Sequence, residues 1–229
     1  MKSVILVCGH GPGISDAVAR KFGGAGHSVA LVARNADRVH AAATTLGAAG
    51  IDAKGFACDL SHPAAVEELV TNVKKELGPI AVVHYNAYGG GGFDLLSATP
   101  DELRGAFDVS VTGLVTVVRA ARTDLEAAKG AVLVTGGGFA FYEPKIDAMA
   151  VQFKSAGVAL GKAAQHKTVG LLSAALKPAG VYVGEVVVMG VVKGTAFDQG
   201  NSGTLEPGAI ADKFYEMAQQ RGELTTNFG

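Results

Sequence analysis

Paired cysteines, net charge and long apolar runs are all missing from this 229-residue chain, and each absence narrows what the protein does. Cys8 and Cys58 sit singly inside apolar stretches, without the spacing of a metal or redox pair, and two are too few to brace so long a chain with disulfides. They point to a reducing, cytoplasmic setting. Twenty Lys and Arg stand against 21 Asp and Glu, so there is no basic footprint for a phosphate backbone or an anionic membrane. Neither nucleic acid nor a membrane is expected as a partner. The longest apolar run, 181 to 192, is interrupted by Gly184, Glu185 and Gly190, and the first, Val4 to Cys8, is too short for the core of a signal peptide. A soluble protein is expected.

Glycine is what the chain has in excess, 32 residues with no three-residue period, which excludes a collagen and implies many tight turns or close backbone approaches. With 48% hydrophobic residues, the length suits one domain with a large core. Short β-branched runs alternate with alanine-rich helical patterns, the signature of βαβ units. Strands are expected at 4–8, 28–33, 52–57, 80–85, 131–135 and 181–188, and helices at 14–25, 36–48, 63–77, 100–128, 147–177 and 205–221. Asn35 suits a helix N-cap, and Thr99, Pro100 and Glu102 form a capping box with proline at the first helical position. Pro178 should stop the long helix near Lys177. The strands are continuous apolar runs, as in a sheet covered on both faces, so the expected fold is a single α/β, doubly wound parallel sheet over residues 1–229.

The first strand runs into Gly9, His10, Gly11, Pro12, Gly13 and Ile14, then a helix. Glycines at such a turn let the backbone approach a pyrophosphate, which the positive helix end and free N–H groups hold. At the end of the second strand stands Arg34, where an acidic residue would take the ribose hydroxyls of NAD. A cation there suits the 2′-phosphate of NADP.

In this order of elements the chain resembles the short-chain dehydrogenase/reductase family over residues 1 to about 195. The TGxxxGxG motif is matched by Cys8, Gly9 and Gly13, with Ser15 in place of the last glycine. Asp59 and Leu60 resemble the family's adenine-contacting pair. Asn86, Ala87, Tyr88 and Gly89 are similar to its NNAG stretch, and Phe107 to Gly113 to its central-helix segment. Lys154 looks like the lysine of YxxxK, and Gly190 and Thr195 like the loop that closes over nicotinamide. The resemblance implies the Rossmann fold, an NADP(H) cofactor, a small-molecule substrate, and a homodimer or homotetramer paired through the long helices after the fourth and fifth strands. The last five residues lack the family's Asp-Gly-Gly ending, which puts a seventh strand in doubt.

The catalytic positions depart from the pattern. Four residues before Lys154 stands Ala150 instead of tyrosine, the fifth strand ends in Gly136, Gly137 and Gly138 where a serine belongs, and Ser110 takes the asparagine's place. A positioned general acid supplies about 10² to 10⁴ in rate, roughly 3 to 5 kcal/mol, whereas alignment of the reacting groups supplies roughly 7 to 11. Hydride transfer therefore survives the loss of the tyrosine in weakened form. Tyr142 is the expected substitute acid, or else an aromatic that only packs on its loop; Lys154 is expected to orient the ribose. His84, on an apolar strand, reads as a core histidine. The glycine runs 89–92 and 136–138 stand either for a lid or for room in the pocket. The resulting reading is an NADP(H)-dependent oxidoreductase acting on a carbonyl, an imine or an activated double bond, with no metal. The alternative is an inactive NADP-binding regulatory or partner subunit.

Overall fold

The computed structural model describes residues 2–89 and 91–229; Gly90, within the first glycine run, lies outside them. Seven strands form one sheet, each pair parallel: β1 (Val4–Cys8), β2 (Ser28–Ala33), β3 (Ala53–Ala57), β4 (Ile80–Tyr85), β5 (Ala131–Gly137), β6 (Tyr182–Val188) and β7 (Thr225–Phe228). Their order across the sheet is β3-β2-β1-β4-β5-β6-β7, so the direction of winding reverses between β1 and β4. Ligands of such sheets bind outside the carboxyl ends of the strands at that reversal.

Among the described residues, eight α-helices cover the faces: α1 (Ile14–Gly24), α2 (Ala36–Ala48), α3 (Pro63–Leu77), α4 (Pro100–Phe107), α5 (Leu114–Ala128), α6 (Pro144–Gln152), α7 (Ala156–Leu176) and α8 (Pro207–Gln220). One core packs Val18 and Phe22 of α1, Leu46 of α2 and Phe214 of α8 against Ile5, Leu31 and Leu133. The other packs Leu69 of α3, Leu114 and Val117 of α5 and Val169 of α7 against Leu6, Val32 and Val132. Burial on both faces explains why the central strands read as unbroken apolar runs, each buried Val or Leu contributing about 1.5–3 kcal/mol.

The helix starts follow the sequence. The Asn35 side chain accepts from the Arg38 N–H at 2.8 Å, and Thr99 and Glu102 close their capping box in both directions. Proline begins α3, α4, α6 and α8.

Three expectations change. The helix expected at 100–128 contains a wide π turn at Asp108–Gly113, which divides α4 from α5. The helix expected at 147–177 is two: α6 ends at Gln152, and the chain turns through Lys154, at φ +51°, before α7 starts. The doubted seventh strand is present, because α8 returns the chain to pair β7 with β6 from Glu185↔Thr225 to Val188↔Phe228. Backbone pairing needs no Asp-Gly-Gly ending.

Candidate active site

At the reversal between β1 and β4, the glycine turn is strapped to the segment after β4. Gly9 has φ +81°, and a Cβ there would stand 2.6 Å from the Ala87 nitrogen, so only glycine fits. Asn86 donates its side-chain amide to the Gly9 carbonyl at 3.4 Å. Ser15, in place of a family glycine, folds its hydroxyl back onto Gly11, accepting from its N–H at 2.9 Å and donating to its carbonyl at 3.1 Å. Pro12 is exposed, and Ile14 is buried against the core. Gly13 caps α1 without any side-chain bond, which leaves first-turn N–H groups of α1 open to an anion. Thr195 comes from the loop after β6 to lie over this turn: a Cβ on Gly13 would be 2.6 Å from its methyl group, while its hydroxyl donates to the Val192 carbonyl at 2.8 Å. Gly190, exposed in the same loop, packs its backbone near Leu205.

Arg34 is exposed at the end of β2, with Asp59 within electrostatic reach. Asp59 is held below the usual carboxylate range by the Ser61 N–H and hydroxyl, then by His62 and Arg34. Leu60 turns its side chain into the core. A second cation joins Arg34: Arg38 reaches back from α2 to the His10 carbonyl at 3.4 Å. The site thus offers a glycine turn, an open helix end and two cations beside the end of β2, a donor set that fits a dinucleotide with an extra phosphate.

The expected catalytic residues fare differently. Tyr142 is fully exposed beyond β5, and Lys154 is exposed on the α6–α7 turn. Lys154 takes a left-handed backbone, at φ +51°, between the end of α6 at Gln152 and the start of α7. A second lysine, Lys162, lies two turns into α7 and is 7% exposed. Its Nζ donates to the Thr135 carbonyl at 2.6 Å and to Gln165 Oε1 at 2.9 Å, and stands 5.6 Å from the centre of the Tyr88 ring. Burial lowers its pKa to about 8, with Glu185 opposing the shift. The residue four before it is Val158, so the tyrosine of YxxxK is absent in this register as well. Gly137, in the glycine run that ends β5, leaves space against the Lys162 stem: a Cβ there would be 3.9 Å from its Cγ.

Ser110 is buried in the π turn, where its hydroxyl accepts from the Gly89 N–H at 3.0 Å. Its carbonyl accepts from Gln165 Nε2 at 3.1 Å. Gln165, fully buried, therefore ties the lysine to the central-helix segment, a role that the sequence reading missed. Close approach of α7 to this segment requires Gly161, where a Cβ would be 2.6 Å from Ser110 Oγ. The available signal was periodicity: Gly161, Lys162, Gln165 and Val169 lie on the buried stripe of α7, where a lysine and a glutamine need partners. His84 is the core histidine expected, its Nε2 3.2 Å from Thr135 Oγ1 and its ring edge-on to Phe214; burial, then Lys162, lowers its pKa to about 3. Tyr88 and Phe197, from the loops after β4 and β6, face each other at 6.2 Å across the opening. A surface cavity of about 480 Å³ between α3 and α5 contains none of these residues. Among the described residues, no cluster of three or more His, Cys, Asp or Glu could hold a metal ion.

A family model described as short chain dehydrogenase matches residues 3–203. The chain is 27% identical over 143 residues to 2,3-dihydro-2,3-dihydroxybenzoate dehydrogenase of Bacillus subtilis, covering 62% of this chain and 54% of that protein. It is 36% identical over 120 residues to 1-deoxy-11-beta-hydroxypentalenate dehydrogenase of Streptomyces avermitilis, covering 52% and 44%. The chain spans about half the length of these curated relatives. A solved metagenomic short-chain oxidoreductase in complex with NADP superposes with a TM-score of 0.80 at 26% identity, over 99% of this chain and 95% of that one.

Proposed function

Because this chain belongs to the short chain dehydrogenase family, we propose that it is an NADP(H)-dependent oxidoreductase whose proton comes from Lys162 in place of the missing tyrosine. Gly9, Gly11, Gly13 and the start of α1 hold the pyrophosphate, Arg34 and Arg38 take the 2′-phosphate, Asp59, Leu60, Asn86 and Ala87 flank the adenosine and ribose, and Thr195 with Gly190 closes from above. The NADP-bound metagenomic oxidoreductase supports the choice of cofactor. When bound, the nicotinamide supplies the hydride.

The observation that carries this reading is the buried ammonium of Lys162, held beside the end of β5 by the Thr135 carbonyl and Gln165 Oε1, with the Tyr88 ring from the loop after β4 at 5.6 Å. Lys162 gives a proton from Nζ to the oxygen or nitrogen of a carbonyl or imine, or to the carbon of an activated double bond, as that atom gains an electron pair, and regains it from solvent. Ser110 and Gln165 fix where the ammonium stands. Tyr88 and Phe197, both partly exposed, offer aromatic faces to a small-molecule substrate. Subunits pair through α5 and α7, which leave Val115 and Leu171 exposed.

Titration of the protein with NADPH and NADH, read by nicotinamide fluorescence and repeated with Arg34→Ala, tests the proposal. NADPH should bind more tightly than NADH, and the variant should weaken NADPH alone, by up to about fivefold for one exposed ion pair. Binding of neither nucleotide refutes the proposal. Binding without turnover across a panel of ketones, imines and enones would favour an inactive NADP-binding partner, a reading that the absence of both hydroxyls at Val158 and Gly137 supports.

A further inference from the structure

β6 is a strand of valines with one carboxylate in its middle. Glu185 is 1% exposed. Its Oε2 accepts from His166 Nδ1 at 2.5 Å, and its Oε1 has no partner among the described residues. The free oxygen lies over the bare backbone of Gly136, where a Cβ would be 2.5 Å away. The preceding residue, Thr135, provides the carbonyl that holds Lys162 Nζ. Lys162 and His166 are four apart on α7, hence on one face of the helix. Ammonium, carboxylate and imidazole are thus gathered over two consecutive residues of β5.

The partners of Lys162 make this grouping consequential. Among the described residues, its ammonium donates hydrogen bonds only to neutral oxygens, Thr135 O and Gln165 Oε1. From β4 it is faced by His84, neutral by burial, and from the loop after β4 by the Tyr88 ring. Burying an ammonium costs several kcal/mol unless an opposite charge offsets it. Glu185 is the acidic group acting on Lys162. Glu185 is itself faced by His166 and Lys162 from α7 and by Thr225 from β7. A cleft of about 220 Å³, lined by His166, Lys167, Glu185 and Thr225, leaves His166 in reach of solvent.

We propose that Glu185 is a positioning residue for Lys162: a buried counter-charge, bonded to His166, that keeps the buried Lys162 ammonium charged. This rests on the reading of Lys162 as the proton donor of the site. Burial lowers the Lys162 pKa while Glu185 opposes that shift; burial also raises the Glu185 pKa, against the opposing pull of His166 and Lys162.

The test is the titration of Lys162 itself, without cofactor, followed by NMR through its Cε–Nζ correlation in labelled protein and assigned with Lys162→Met. In Glu185→Gln, which retains an oxygen to accept from His166, the Lys162 midpoint should fall by roughly one to three pH units. Glu185→Asp should restore most of it. His166→Asn should shift it in the same direction as Glu185→Gln by raising the pKa of Glu185, and this variant carries the test if Glu185→Gln does not fold. A Lys162 midpoint unchanged in a folded Glu185→Gln or His166→Asn protein overturns the proposal. NADPH titrations of the same variants separate the two failures, since absence of nucleotide binding refutes the function above and leaves the Lys162 shift as measured.

Discussion

His84 ties the acid sensitivity of the fold to one buried ring. Its pKa is about 3 in the folded protein against an ordinary value of 6.5, because burial and the nearby Lys162 disfavour the imidazolium. The unfolded chain therefore takes up a proton below pH 6.5 that the native state refuses, and unfolding becomes easier as the pH falls. Above pH 7 the ring contributes nothing to the pH dependence. At pH 5 the penalty is about 2 kcal/mol, growing by 1.36 kcal/mol per unit until about pH 3. Urea denaturation followed by circular dichroism at pH 7, 6, 5.5 and 5 should show this loss in the wild-type protein. His84→Leu should remove it, whatever the variant loses from its broken contact with Thr135. Comparison of slopes is the right measure, because His27, with a pKa also lowered by burial, adds to the loss in both proteins and Glu185, with a raised pKa, opposes it in both. Parallel curves for wild type and variant would refute the assignment of a neutral, proton-refusing His84; so would an imidazole that titrates near pH 6 by NMR.

Other expectations can be checked with single substitutions. Gly9→Ala combines a left-handed backbone with a Cβ 2.6 Å from the Ala87 nitrogen, so it should destabilise by roughly 2–4 kcal/mol and abolish NADPH binding, whereas Gly24→Ala, in open space at the end of α1, should stabilise by about 0.5–1 kcal/mol in the same thermal melts. Lys162→Met should lower turnover of a ketone or imine by about 10² to 10⁴ in a steady-state assay, through loss of the proton donor, while Lys154→Met leaves it unchanged. Thr99→Ala removes the capping box of α4 and should cost about 1 kcal/mol by urea denaturation.

The strands, caps and glycine turn were legible because each is encoded within a few residues: a β-branched run, an Asn35 or Thr99 at a helix start, a Gly9 that no other residue can replace. The lysine was not. Lys154 and Lys162 both lie in alanine-rich surroundings, and spacing from an expected tyrosine carries no information once the tyrosine is gone. What distinguishes them is tertiary, the left-handed turn at 154 and the packing of Gly161 on Ser110 that draws 162 inward. Tyr142 was nominated by its place after β5, but a loop sequence does not fix where a side chain points. The π turn also escaped the pattern, since Leu114, Val117 and Ala121 show ordinary helical spacing and only their phase relative to α4 is altered.

That phase matters beyond the carbonyl it frees at Ser110. A π turn holds one residue more than the α-helix would, and an α-helix advances 100° per residue, so the segment works as an indexing device between two rigid rods. Deleting any one residue of 108–113 would let the backbone close into regular helix and rotate Leu114, Val117, Val118, Ala121 and Leu125 by about 100°, off the sheet that they now cover. Many point changes there keep the count and leave the rods aligned. In this stretch the number of residues is under stricter constraint than most of their identities, and a library of variants should show deletions purged where substitutions persist.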